Sequence, residues 1–465
     1  MVKNIFKRKP SEFATEYTVT NALKKGDILT RLSFLLLGAG NIARKQIAKG
    51  LLFVFTEICY IYYMVSYGFY SLSEFVTLGH YERIETETDW GGYTYEYIGI
   101  PSVRVLLYGV ATIVLTLLFV AFWREAVKSA YKVQRLNETG MYVNKFIDDI
   151  KDLFNVNLHK LLLALPLAGI LTFTALPLIF MMLMAFTNYS DAVTPDGTSN
   201  YLNRFYWVGF DSFKDVLSIN GNIGEQFWSV LAWTLIWAVF ATLLNYIGGM
   251  ILAIIINRKE TKFKGLWRFN FVLSIAIPQF VSLLIMRTML SDTGAINNLL
   301  MDWGLIDKAL PFWTNATWAR VTVIVVNLWV GIPYTMLQLS GVLQNIPAEL
   351  YEAAKVDGAN AITTFFKITL PYMLFVTTPY LITTFTGNIN NFNVIYLLTG
   401  GGPGKLGYTA GQTDLLVTWL YKLTIDKNDY NIGAVIGIMT FVVLAIVSLV
   451  TYRSSGSYKD EEGFQ

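Results

Sequence analysis

Eight separate runs of about twenty apolar residues constrain this chain more than any other feature, because that is the helical length that crosses a hydrocarbon core of about 30 Å. They lie near 50–71, 103–123, 161–187, 228–256, 268–290, 320–343, 372–398 and 431–452. Backbone in lipid must satisfy its own N–H and C=O groups, so such runs fold as helices, and the expected class is an all-α polytopic membrane protein. Composition agrees: 15% of the 465 residues are charged, against about 25% in a soluble domain. A net charge of +3 leaves no footprint for nucleic acid. The single cysteine, Cys59, cannot form a disulfide within the chain or a cysteine metal site.

The segments between the runs set the organisation. Residues 1–49 are basic and lack an adjoining apolar core, so they do not read as a signal peptide. Within them Leu36–Gly40, flanked by Arg31, Arg44, Lys45 and Lys49, reads as an interfacial helix. Residues 50–160 hold two spans and a charged linker, whose 136–154 portion reads as a helix pair. Residues 161–452 hold six more spans, and 453–465 form a polar tail expected to be disordered. About 26 of the 36 Lys and Arg fall in the N-terminal segment, the tail and alternate loops, which puts both termini and the 344–371 loop on the cytoplasmic side.

That loop is too polar to cross a bilayer. Pro347 suits a first helical turn, and Glu349 and Glu352 suit its positive end. Gly358 interrupts the helix, and a second helical pattern through Phe365, Phe366, Ile368 and Leu370 leads to Pro371 at the entry of the next span. Glu352-Ala353-Ala354, Asp357-Gly358-Ala359 and Ile368-Thr369-Leu370-Pro371 resemble the EAA loop of ABC-importer permeases, a specific match over about twenty positions. The resemblance implies a type I importer core of six spans preceded by two extra ones, similar to the larger membrane subunit of maltose-type importers. It implies that the coupling loop, 345–371, docks on a separate ATPase through Glu352, Ala353, Ala354, Asp357, Gly358 and Ala359. It implies a second homologous permease subunit, an ATPase dimer that carries ATP and Mg, and an extracellular solute-binding protein, all at a bacterial plasma membrane. This chain would then carry no cofactor and no catalytic residue. One departure is the short 188–227 loop, where maltose-type permeases can hold a large domain.

A sugar needs donors, acceptors and rings, and few charges. Asn327, Gly331 and Tyr334 share one face of the sixth span; Gly331 omits a side chain between an amide and a phenol, leaving room for a ligand, and Pro333 frees a carbonyl. Thr384, Asn388 and Asn391 share a face of the seventh, with Phe392 alongside. Asparagine in an apolar span needs a partner, so these either meet a ligand or bond helix to helix; the residues alone leave both open. The resemblance favours the ligand: Asn327, Gly331, Tyr334, Asn388 and Asn391 match sugar-contacting positions, and Val330 replaces a Leu. In the fifth span Ile275 replaces a stacking Tyr and Gln279 a Ser. A neutral oligosaccharide of the maltodextrin kind is the expected substrate, with raffinose-type sugars as the alternative. A secondary transporter driven by an ion gradient is the competing class, disfavoured because Glu57 is the acidic residue that falls well inside a span. Gly400–Lys405 fails as a phosphate loop, since Leu406 stands where Ser or Thr is required. His80 and His159 give no metal-ligand pattern, so no metal site is expected.

Overall fold

The protein is described by a computed structural model over residues 17–87, 93–190, 204–258 and 260–454. The reading of the first sixteen residues and that of the tail from 455 lie outside the described residues. Internal contacts separate two compact units, Met1–Tyr189 with Val193–Trp207, and Ser190–Ala192 with Val208–Gln465. The division falls after the third span rather than near 160. That span packs beside the second-span helix, and few of its residues are buried within the chain.

The first unit runs α1 (Val19–Lys25), α2 (Ile28–Leu32), α3 (Ala39–Ala43), α4 (Ile47–Thr77), α5 (Ser102–Glu138), α6 (Phe146–Phe154) and α7 (Leu158–Met184). An antiparallel hairpin, β1 (Tyr81–Glu87) with β2 (Tyr93–Gly99), joins α4 to α5 and is the one sheet among the described residues. The run Leu36–Gly40 is not an interfacial helix. The chain turns there through Gly38 at φ +81, a position where a Cβ would also lie 2.3 Å from Gly50 O. Leu37 is fully buried, and its N–H donates to Glu57 Oε2 at 2.8 Å. The intramembrane carboxylate thus holds a turn. Arg44 bonds Asp27 at 2.6 Å, and Gln134 Oε1 accepts from Asp27 N and Thr30 Oγ1, which fastens the leading helices to α5.

The second unit runs α8 (Asp211–Leu217), α9 (Asn222–Asn257), α10 (Lys264–Ala276), α11 (Gln279–Met289), α12 (Ala295–Asp302), α13 (Ala316–Gln344), α14 (Ala348–Val356), α15 (Ala361–Thr399), α16 (Leu416–Tyr421) and α17 (Tyr430–Ser454). Among the described residues of the whole chain, seven helices are long and apolar enough to cross a membrane, and the pair α10–α11 makes an eighth. That fifth span is not one rod: its halves meet at 86°. Pro278 has no N–H for a helical bond and biases Ile277 to extended backbone, here φ −77 and ψ 127.

Helix α9 is the axis of this unit, packed on α13 and α15. Small residues let it approach α13: a Cβ at Gly249 would lie 2.9 Å from Met336 N. Trp233, Trp237 and Ala241 meet Val323, Val326, Ile389 and Ile395 in the core. At its first turns Gln226 Oε1 accepts the N–H groups of Thr409 (2.8 Å) and Ala410 (2.9 Å) from the loop after α15. At its other end Asn257 accepts from Arg268 (2.6 Å) and donates to Ser340 (3.3 Å).

Candidate functional site

A cavity of about 370 Å³ opens between α9, the broken α10–α11 span, α13 and α15. The break at Pro278 brings Ser274, Gln279 and Ser282 to one wall. Helix α13 contributes Asn327, Trp329, Val330, Gly331, Tyr334 and Thr335, and α15 contributes Tyr380, Thr384 and Asn388. Among the described residues the lining is amide, hydroxyl, ring and aliphatic carbon, with no Asp, Glu, Lys, Arg or His. Pro333 stays inside a continuous α13, and Thr335 Oγ1 donates to the Gly331 carbonyl at 3.0 Å.

Of the residues read from sequence, Gln279, Asn327, Val330, Gly331, Tyr334 and Asn388 line this cavity, as does Ile275. Asn391 does not join them. Its side-chain oxygen accepts the Val394 N–H at 3.2 Å and caps the last turns of α15, because the helix breaks at Asn390. Asn388 combines both readings left open by the sequence: it lines the cavity, yet its Nδ2 donates to Thr242 Oγ1 at 3.0 Å and its carbonyl accepts from Trp237 Nε1 at 3.1 Å.

Gly331 does not leave open room as the sequence suggested. A Cβ there would lie 2.6 Å from Cγ of Asn245, whose amide fills the space opposite the glycine. Asn245 lines the cavity and is 6% exposed, and sequence reading missed it. The signal was present: it is an amide within an apolar run, judged by the rule that singled out Asn388. Tyr380 and Thr335, whose hydroxyls lie 3.3 Å apart, were missed because isolated hydroxyls are ordinary in spans.

At the Asn257 end of α9 the chain exposes α14. Tyr351 OH and Thr369 Oγ1, 3.1 Å apart, tie it to α15, and Ala354 is its buried residue. Its C-terminus closes with two bonds, Gly358 N to Lys355 O (3.2 Å) and Ala359 N to Ala354 O (2.9 Å), and Gly358 at φ +74 supplies the left-handed residue this closure needs. Asn360 then caps α15. Glu352, Ala353 and Asp357 face outward, with Val356 86% and Ile362 70% exposed beside them. Asn245 and Asn257 are twelve residues apart, so the cavity and this end lie about 18 Å apart along α9.

The chain's likenesses agree with this arrangement. Residues 245–456 match the family model described as binding-protein-dependent transport system inner membrane component. The maltodextrin transport system permease protein MdxF of Bacillus subtilis is 31% identical over 458 residues, covering 96% of this chain and 99% of that protein. The galactooligosaccharides transport system permease protein GanP of the same organism is 33% identical over 428 residues, covering 91% and 96%. A crystal structure of a bacterial ABC transporter involved in the import of the acidic polysaccharide alginate superposes with a TM-score of 0.52 at 25% identity, over 65% of this chain and 96% of that one. With a bundle built around a charge-free cavity, relatives matched nearly end to end, and a shared core fold, this chain belongs to the binding-protein-dependent transport system inner membrane components, the permeases of ABC importers.

Proposed function

We propose that this permease carries a neutral oligosaccharide of the maltodextrin kind across the cell membrane by alternating access, with the cavity of Asn327, Gly331, Tyr334, Asn388 and Gln279 as its sugar site. The observation that carries the reading is the cavity wall: hydroxyls and amides for sugar O–H groups, rings for C–H faces, and no ionised side chain. A cavity without a cation offers an acidic sugar nothing to neutralise it. Both termini and α14 lie on the cytoplasmic side. There Glu352, Ala353, Ala354, Asp357, Gly358 and Ala359 meet a separate ATPase dimer that holds ATP and Mg, beside a second permease subunit and opposite an extracellular binding protein. Work reaches the cavity only through the ATPase's different affinities for the two states.

The test is uptake by the assembled complex in membrane vesicles, with its binding protein, across a panel of maltose, maltotriose, longer dextrins, galacto-oligosaccharides and raffinose. Dextrin uptake that requires ATP and persists with a protonophore is the expected result. Uptake of galacto-oligosaccharides alone, the reading that similarity to GanP favours, would replace the maltodextrin assignment. Uptake that collapses with the protonophore while ATP is held constant would sink the ATP-driven mechanism.

A further inference from the structure

One wall of the cavity holds hydrogen-bonding capacity that the fold leaves unused. Asn245 and Asn327 are 6% and 4% exposed, and both line the cavity. Among the described residues, neither Asn245 Oδ1 nor Asn327 Nδ2 has a hydrogen-bond partner. Buried amide atoms without partners are rare in folded proteins, because removing them from water is unfavourable. Asn388 gives the contrast: it faces the same cavity, but its Nδ2 is engaged by Thr242. Asn245 is also held in place, since its amide occupies the hollow that Gly331 leaves in α13.

We infer that Asn245 is a substrate-binding residue of this permease, its amide oxygen accepting a sugar hydroxyl proton on the wall where Asn327 Nδ2 donates. The inference deepens the oligosaccharide reading and rests on it. The two unmatched atoms are one acceptor and one donor. A sugar presents several hydroxyls, each with a proton and two lone pairs, so it carries a partner for each atom. A carboxylate has no proton for Asn245, an ammonium has no lone pair for Asn327, and an apolar ligand leaves both unmatched. The pair therefore selects for a neutral hydroxylated ligand, with Asn245 on α9, a helix to which the sequence assigned no ligand contact.

Asn245→Leu tests this because a structural and a ligand-binding amide give opposite signs. The leucine is close in volume and removes an unsatisfied group. In the intact complex the melting temperature without sugar is expected to hold or rise. ATP-driven uptake at saturating sugar-loaded binding protein is expected to fall about tenfold or more. Unchanged uptake, or a fall in uptake that accompanies a lowered sugar-free melting temperature, would overturn the inference. If the leucine variant does not assemble, Asn245→Ala, which removes the amide and adds no bulk opposite Gly331, serves in the same comparison. A parent complex that moves no neutral oligosaccharide overturns the oligosaccharide reading and this one with it, whereas parent uptake with unaltered variant uptake overturns this one alone.

Discussion

Lys422→Met is expected to open the loop between α15 and α16, with a loss of about 3–5 kcal/mol from the local structure. Asp414 is fully buried there, and its carboxylate accepts from Lys422 Nζ (2.6 Å), Gly411 N (2.7 Å) and Thr418 Oγ1 (2.9 Å). The loop is wound on this group. Thr413 N donates to Gly401 O at 3.0 Å, and Gly401, at φ +81, sits so close that a Cβ would overlap the carboxylate. Removing the ammonium leaves a buried charge without its counterion, which is far worse than replacing the whole pair by apolar groups. The readout is amide exchange at Gly411 and Thr413, which should quicken by roughly two to three orders of magnitude. Asp414→Leu combined with Lys422→Met should recover most of the protection. Unchanged exchange in the single variant would show that the pair does not hold the loop.

The same substitution carries a pH signature. Burial pushes the Asp414 carboxyl above its ordinary value of 3.8, against the pull of Lys422, Gly411 and Thr418. A raised carboxyl pKa means that the closed loop keeps its proton where the open loop has lost it. Stability is then full below the ordinary value and is lost as pH rises through the raised one. Without Lys422 the carboxyl is pushed higher still, so the deficit of the variant relative to the parent should narrow as pH falls through that raised value, where the variant takes up the proton. Arg320, which lines the adjoining pocket, donates to Gln412 O at 2.8 Å and stacks on Trp233 at 4.8 Å, so it is engaged elsewhere.

The spans and the knob at α14 were legible because both are written in local chemistry. Apolar length marks a helix in lipid, and Pro347 and Gly358 punctuate the loop as the observed start and closure, while the Asn360 cap that restarts the helix went unread. The polar seam was half legible. Asn327 and Asn388 stand out against apolar neighbours, but Asn391 looked equivalent because helical spacing assumes a continuous helix, and the chain breaks at Asn390. The bend in the fifth span was written in Ile277-Pro278, but a proline alone does not decide it, since Pro333 sits inside a continuous α13. Asn245 carried the same signal and was passed over. Its place opposite Gly331 of α13 is a contact between two helices, which no reading of one helix at a time contains.

Gly331→Ala and Gly249→Val should separate transport from folding at the same helix pair. Both glycines lie where α9 meets α13, and both exclude a Cβ, but the obstructing atoms differ. At Gly249 the obstruction includes the backbone nitrogen of Met336, 2.9 Å away, which cannot move without shifting α13. Valine there forces the helices apart, and the overpacking should cost about 3 kcal/mol, read as a lower melting temperature of the complex with or without sugar. At Gly331 the obstruction is the Asn245 side chain, with Cγ at 2.6 Å, which can rotate. Alanine should therefore leave the melting temperature near the parent value while turning the amide out of place. A misplacement of about 1 Å at a reacting or translocating site commonly costs about a hundredfold in rate, and uptake should fall by that order. The two variants invert each other's phenotype only if the space beside Gly331 is kept for the Asn245 amide. If Gly331→Ala instead transports normally, the amide has room to spare and the α9 wall of the cavity does not read the sugar.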